Sequence, residues 1–415
     1  MTAAPPPPGP GALPRLARDG RFILCEEAAR DGAQGKTLLL AGERCALFAR
    51  SAAVLGAMSD AALVAMVGFP GIGKEEVDVI AEVIARHRRG YQQVVCRSRA
   101  DELRGGVDLV RPAHAGRVLF VLPASAAMAG AMLHESPAAA LARGRALLAG
   151  ALDHAAGEVS VDVCLADISA ADPGHVADAA NALTADGAEL IMLADTVGRL
   201  QPVGHHRLLA GITAALDPQV VVHCHFHNDL GLALALNLQA LGLGHRAFGT
   251  SWLGLGERTG LGHTEELLAA LATASEDQLA DLGTSRARLG VDLWDAHQIA
   301  PTAGWLSGQL GLPRRATDPF VGGGVNAIST GTPFVDPAVF QPYDALGRLG
   351  IPARVDLTHL ASDRVVDAVA RAHGLSLSAE DRTAVRLRVK ALAYARGVAF
   401  VDPREVLPLP PGGAP

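Results

Sequence analysis

Two histidines with one residue between them, His225 and His227, lie near the end of the run Val220-Val221-Val222-His223-Cys224-His225-Phe226-His227-Asn228-Asp229-Leu230-Gly231. The three valines read as a buried strand, and residues two apart on a strand face the same side, so the two imidazoles point together. Two imidazoles at the carboxyl end of a strand are half of a divalent-metal site. A second segment, Arg30-Asp31-Gly32, follows an earlier β-rich run and offers a carboxylate. Asp31, His225 and His227 together would hold an ion and leave coordination positions for water or substrate. A polar strand end and a surface turn with a local ion pair are the plainer alternatives. The fold decides between them by bringing the two segments together or keeping them apart.

The elements that must do this are legible. Strands are expected at Phe22–Ala28, Ala62–Phe69, Gln92–Arg97, Val118–Leu122, Val159–Ala166, Leu190–Ala194, Val220–His225 and Ala247–Leu253. Helical patterns fall between most of them, including Glu43–Leu55, Lys74–Arg88, Pro137–Ala155, Pro173–Ala185, His206–Leu216 and Leu232–Leu241, with Ala100–Pro112 the weakest. This alternation predicts an α/β fold, a (β/α)8 TIM barrel of parallel strands with right-handed crossovers. Polar residues at the carboxyl ends of such strands converge on one face. Only the eighth strand separates the first from the seventh, so Asp31 can reach both imidazoles. The same face would receive Arg97, Asp167 and Asp195-Thr196-Val197-Gly198. Thr196 can donate to a substrate carboxylate, Asp195 can cap its own turn, and Arg97 and Asp167 are either ligand groups or rim ion pairs. Gly254-Leu255-Gly256-Glu257-Arg258-Thr259-Gly260 could approach a phosphate through backbone N–H groups, although no Lys-Ser/Thr follows to make it a nucleotide loop.

The chain of 415 residues suits a barrel with an appendage, and its 49% apolar share supports a large core built mostly of Ala, Val and Leu. A net charge of −7 without a basic stripe argues against nucleic acid or an anionic membrane as partner. No uninterrupted apolar run reaches membrane-spanning length. The five cysteines are scattered without a CxxC, four of them in or beside expected strands, which fits a reducing cytoplasm. The expected organisation is a disordered Pro-rich tail (1–20), the barrel (21–274), a mostly helical C-terminal subdomain (275–406) and a second disordered tail (407–415). Late helices are expected at Ala361–His373 and Ala379–Arg396, and a glycine turn at Gly322–Gly324.

Arg30-Asp31-Gly32-x-Gln34, Gly68-Phe69-Pro70, Asp195-Thr196-Val197-Gly198, His225-Phe226-His227-Asn228-Asp229-x-Gly231 and Gly254-x-Gly256-Glu257-Arg258-x-Gly260 resemble, in order and spacing, the homocitrate synthase and isopropylmalate synthase family. The resemblance covers Phe22 to Leu271 well. It continues more loosely through Pro319-Phe320-Val321-Gly322, Thr330-Gly331 and Pro342-Tyr343-Asp344, which are similar to that family's C-terminal lid segment. It implies a cytoplasmic homodimer that condenses acetyl-CoA with a 2-oxo acid in a Claisen reaction. The implied metal (Mg, Mn, Zn or Co) would sit on Asp31, His225 and His227. Arg30 would stabilise the developing alkoxide, with Thr196 on the acceptor carboxylate and Gln34, Arg97 and Asp167 also binding substrate. Gly254, Gly256, Glu257 and Arg258 would face acetyl-CoA. The sequence departs from the family at Met66, usually Glu; at Met128, Ala129 and Ala131, usually His or Arg; at Ala166, usually Glu; and at Pro333, usually a lid His. Glu26 stands at the family's first-strand Asp. With these polar groups gone, the expected acceptor lacks a distal carboxylate, and His134, Glu26, Glu27 and His359 are the candidate bases. A metal-dependent aldolase or lyase that needs no CoA, and a non-catalytic binder of 2-oxo acids, are the alternatives.

Overall fold

The computed structural model describes residues 8–409 apart from Lys36, Val335 and Asp336. Eight strands run in sequence order: β1 (Ile23–Glu26), β2 (Leu63–Gly68), β3 (Tyr91–Cys96), β4 (Gly116–Pro123), β5 (Ser160–Ala166), β6 (Ile191–Asp195), β7 (Val222–Phe226) and β8 (Ala247–Thr250). Each pairs in parallel with the next, and β8 returns to β1 in the register Ile23↔Ala247 to Glu26↔Thr250, which closes the barrel. The strands are apolar on both faces because helices cover the outside and side chains fill the inside; all six residues of β2 are buried. Each expected strand is present within a few residues of its expected bounds.

The helices start where local chemistry allows. Ser136 caps Pro137–Ala155 through the Ala139 N–H, and Asp172 caps Pro173–Ala185 through the His175 N–H, each with Pro in the first turn. Lys74–Arg86 turns Glu76, Ile80, Val83 and Ile84 toward the barrel, the spacing of one helical face. The run Ala41–Ala62 is long and apolar enough by composition to cross a membrane, and half of its most apolar window is buried in this fold. It carries Arg44, fully buried and paired with Glu76 through two contacts of 2.8 Å, so it forms part of the barrel wall.

The barrel interior is layered. At the amino-terminal end Arg117 makes a two-point contact with Asp162 (2.9 and 2.6 Å) and reaches Glu189 at 2.9 Å. Asp162 also accepts from the Gln93 amide at 2.6 Å and the Leu190 N–H at 2.9 Å. The Arg117 guanidinium lies 5.4 Å from the Tyr91 ring centroid. Burial alone would lower its basicity, but Asp162 and Glu189 hold it above the ordinary arginine value. Cys25, Met66, Leu119, Cys164 and Met192 pack in an apolar cluster within the barrel.

Two expectations about the ends are corrected. Within the first twenty residues Ala12–Arg18 is a helix, with Leu13 and Ala17 buried in the same cluster as Ile23, Tyr91 and Ala247. A Pro-rich composition hides this short apolar face, and residues 1–7 lie outside the described residues. Near the other end Leu407 is buried and Leu409 packs beside it, so this tail is ordered as far as it is described.

The chain divides into two compact units, Met1–Pro313 and Arg314–Pro415. The β-α rhythm ends after Thr273, yet the helices Glu276–Asp281 and Ile299–Leu310 fall in the first unit. The latter buries Ile299, Ala303 and Leu306. Arg50 sits 4.7 Å over the ring of Trp305. The second unit has its own core around Val365, Val366, Ala370 and Val389, on the helices Asp363–Ala372 and Ala379–Arg396.

Candidate metal and active site

After β1 the chain folds tightly: the Arg30 and Asp31 N–H groups both donate to the Glu27 carbonyl, at 2.9 and 2.7 Å. This brings Asp31 to the end of β7. One ligand atom from each of Asp31, His225 and His227 lies within 4.8 Å of the others, and all three residues are buried. The segments that the sequence leaves apart therefore converge.

The imidazoles are oriented from behind. His225 Nδ1 contacts Glu27 Oε1 at 2.8 Å, which turns its Nε2 toward His227 Nε2, 3.2 Å away. Burial opposes charge on Glu27, but His225, Arg30 and His223 hold its carboxyl down to about 2. Burial opposes charge on His225 too, and Glu27 and Asp31 outweigh it and raise its basicity. His227 is lowered to about 4 by burial and by the neighbouring His225, so it stays a neutral imidazole, the form that ligates metals. Two Nε2 atoms and a carboxylate oxygen facing one another match the donor chemistry of a divalent ion. A carboxylate behind a histidine is the usual arrangement for fixing the tautomer of a ligating imidazole.

The Asp31 carboxylate is clamped from both sides. Arg30 Nη1 donates to Oδ1 at 2.8 Å and the Glu257 N–H to Oδ2 at 3.2 Å. A Cβ on Gly256 would come within 2.5 Å of Oδ2, so the loop needs glycine there to approach Asp31. This gives the glycine loop a structural task beside the phosphate approach expected of it. Arg258 is likewise committed, with two 2.9 Å contacts to Asp229 and a 2.7 Å bond to the Thr196 carbonyl. It ties together the loops after β6, β7 and β8. Gly254 adopts a φ of 63°, where a side chain would strike His263, and the Glu257 side chain is exposed.

The remaining candidates divide. The Thr196 hydroxyl accepts the Asp167 N–H at 2.9 Å and keeps its own proton for another acceptor. Asp167 itself is occupied by Ser125 (2.6 Å) and Arg199 (3.1 Å), a rim network. Arg97 is exposed and paired with Glu102 at 2.7 Å, and Gln34 is exposed on the 3-10 turn Gly32–Gln34. Among the candidate bases, His134 is exposed at the end of the helix Ala126–Leu133. His359 lies in the second unit against the Tyr394 ring. Glu26 is fully buried and pushed up to about 8 by that burial. Its oxygens accept from the Ala28 N–H (2.9 Å) and the Thr264 hydroxyl (2.8 Å), so it braces β1 against the helix Thr264–Thr273. Met66, Met128 and Ala166 pack into one apolar cluster with Val95 and Ala194.

Sequence reasoning gave Glu27 no place beside the metal set, although Ile23, Cys25 and Glu27 share the alternation that faces inward. It also passed over His223, buried two residues before His225, whose ring nitrogens have no hydrogen-bond partner among the described residues and whose Nε2 lies 3.7 Å from Glu27 Oε1. A Cβ on Gly249 would meet Glu27 Oε1 at 2.2 Å and His223 Nε2 at 2.7 Å, so glycine at this place in β8 leaves them their room.

Comparison with known proteins gives a consistent picture. The HMGL-like family model matches residues 21–300. The homocitrate synthase of Frankia alni is 30% identical over 336 residues, 79% of this chain and 87% of that protein. The 2-phosphonomethylmalate synthase of Streptomyces rubellomurinus is 27% identical over 328 residues, 78% of this chain and 80% of the relative. The 2-isopropylmalate synthase of Solidesulfovibrio magneticus is 25% identical, with 91% and 71% of the two chains covered. Among solved structures, the HMG-CoA lyase of Brucella melitensis matches with a TM-score of 0.54 at 20% identity, over 70% of this chain and 99% of that one, a likeness of fold.

Proposed function

The chain belongs to the HMGL-like family, and on that premise we propose that it condenses acetyl-CoA with a 2-oxo acid in a divalent-metal-dependent Claisen reaction. The observation that carries the reading is the convergence of Asp31, His225 and His227, with Glu27 behind His225 and Arg30 against Asp31. When bound, a divalent ion supplies Lewis acidity toward the keto oxygen and carboxylate of the acceptor. Arg30 uses Nη1 for Glu27 and Asp31, which leaves the rest of its guanidinium for the keto oxygen as that atom gains charge. The Thr196 proton is directed to the acceptor carboxylate. The acetyl methyl group loses a proton and its carbon bonds to the keto carbon, the keto oxygen ends protonated as the 2-hydroxyl, and hydrolysis of the thioester by water releases the 2-hydroxy acid and the CoA thiol.

The apolar cluster of Met66, Val95, Met128, Ala166 and Ala194 offers nothing to pair with a second carboxylate, and burying an unpaired charge there is costly. The acceptor is therefore a 2-oxo acid with an uncharged side chain. The test is thiol release from acetyl-CoA across 2-oxo acids with and without a distal carboxylate, before and after chelation. Release is expected with uncharged side chains, stopping on chelation and returning with added metal. Silence across the panel, or release indifferent to chelator, would end the proposal.

Glu27 has its own signature. Glu27→Ala is expected to weaken metal binding by about 10–100-fold, with Glu27→Gln in between because an amide oxygen still accepts from His225 Nδ1. Metal titration by calorimetry reads this directly, and an unchanged affinity in Glu27→Ala would remove Glu27 from the site.

A further inference from the structure

At the end of the barrel remote from the metal ligands, a cavity of about 390 Å³ opens beside the entry to β7. Its walls come from the end of the N-terminal helix, the start of β7, the loop before β8 and the short helix Arg286–Leu289. Three arginines line it, Arg18, Arg246 and Arg288. None of the three is ion-paired with a carboxylate among the described residues, whereas Arg44, Arg117, Arg145 and Arg258 all are.

The charge is built in. Arg246 is only 5% exposed, and Nη1 donates to the carbonyls of Leu241 (2.9 Å) and His245 (2.7 Å), which fixes the guanidinium plane. Its Nε is buried without a hydrogen-bond partner among the described residues. Burial, and then the charge of Arg288, lower its basicity to about 10, so the group is a cation held at a cost. Arg18 is anchored through the Gln219 carbonyl at 3.3 Å. Arg288 crosses the backbone at Gly20, where a Cβ would lie 2.5 Å from its Nε, so glycine at that place admits the side chain. A buried cation with a spare donor, and two further cations on the same cavity, have no carboxylate partner among the described residues.

We propose that this cavity binds a small oxyanion, a phosphate or carboxylate group of a metabolite. Planar guanidinium donors suit phosphate and carboxylate oxygens, and the volume admits more than a lone chloride. The site is independent of the proposed condensation: β7 begins here at Val222 and reaches His225 three residues later, roughly 10 Å along the strand.

Calorimetric titration of the whole protein with inorganic phosphate and with citrate, at ionic strength held constant with chloride, tests this. Saturable binding of either anion is expected, and the tighter one tells whether the natural ligand is phosphorylated or polycarboxylate. The double variant R18Q/R288Q, altered at two exposed positions, should bind at least tenfold more weakly with its unliganded melting temperature unchanged. Asp31→Ala should bind the anion as the parent does, which separates this site from the metal ligands. No binding above the chloride control, undiminished binding in R18Q/R288Q, or loss of binding in Asp31→Ala would each overturn the proposal.

Discussion

Asp31→Ala is expected to lower metal-dependent thiol release by about a thousandfold if this carboxylate holds the ion that polarises the acceptor. The figure corresponds to roughly 4 kcal/mol of transition-state stabilisation, within the several kcal/mol that a bound cation supplies to a developing oxyanion. Structure should survive the change. Asp31 follows the strand rather than belonging to it, and its two clamps are the Arg30 side chain and the Glu257 N–H, both near the barrel mouth. Asp31→Asn keeps the shape and loses the charge, so it should weaken metal binding nearly as far. Steady-state release measured beside a melting curve separates loss of the ion from loss of the fold. Turnover within tenfold of the parent, still sensitive to chelator, would mean that the ion is held elsewhere.

Arg117→Met is expected to destabilise the first unit by about 3–5 kcal/mol, a fall in melting temperature on the order of 10 °C. The loss comes from what is left behind rather than from the bond itself. Asp162 is fully buried and Glu189 mostly so, and without the guanidinium both become uncompensated acids inside the barrel. The Gln93 amide and the Leu190 N–H still donate to Asp162, which keeps the effect from being larger. Replacing both members, in Arg117→Met with Asp162→Leu, should recover part of the loss because no charge is then stranded. Thermal unfolding of the three variants decides this. A single variant melting within about 2 °C of the parent would show that the pair is hydrated and contributes little.

The barrel was legible because short runs apolar on both faces alternate with helices carrying a regular apolar stripe, a pattern that residue order displays. The convergence of Asp31, His225 and His227 was legible from local order, since the alternation of β7 and the Arg-Asp-Gly turn after β1 fix where three side chains emerge. Leu13 and Ala17 were not, because a short apolar face amid prolines looks like a tail until the barrel floor is there to receive it. Glu27 was named only as a base: alternation with Ile23 and Cys25 points it inward, but only the closed barrel brings it within 2.8 Å of His225 on β7. The glycine loop carries a task that its sequence does not display. Glycine permits close approach to any partner, and at Gly256 a partner within the fold is Asp31.

The absence of a side chain at Gly249 ties two distant stretches of the chain into one inheritance. A carboxylate of this length beneath His225 and a β-carbon at that place in β8 exclude each other sterically, so a side chain at 249 cannot be accommodated while the acid at 27 is kept. Shortening position 27 lifts only one of the two obstacles, because a β-carbon at 249 would still lie 2.7 Å from His223 Nε2. Chains that keep the acid stay locked to glycine, and the effects of the two substitutions will not add.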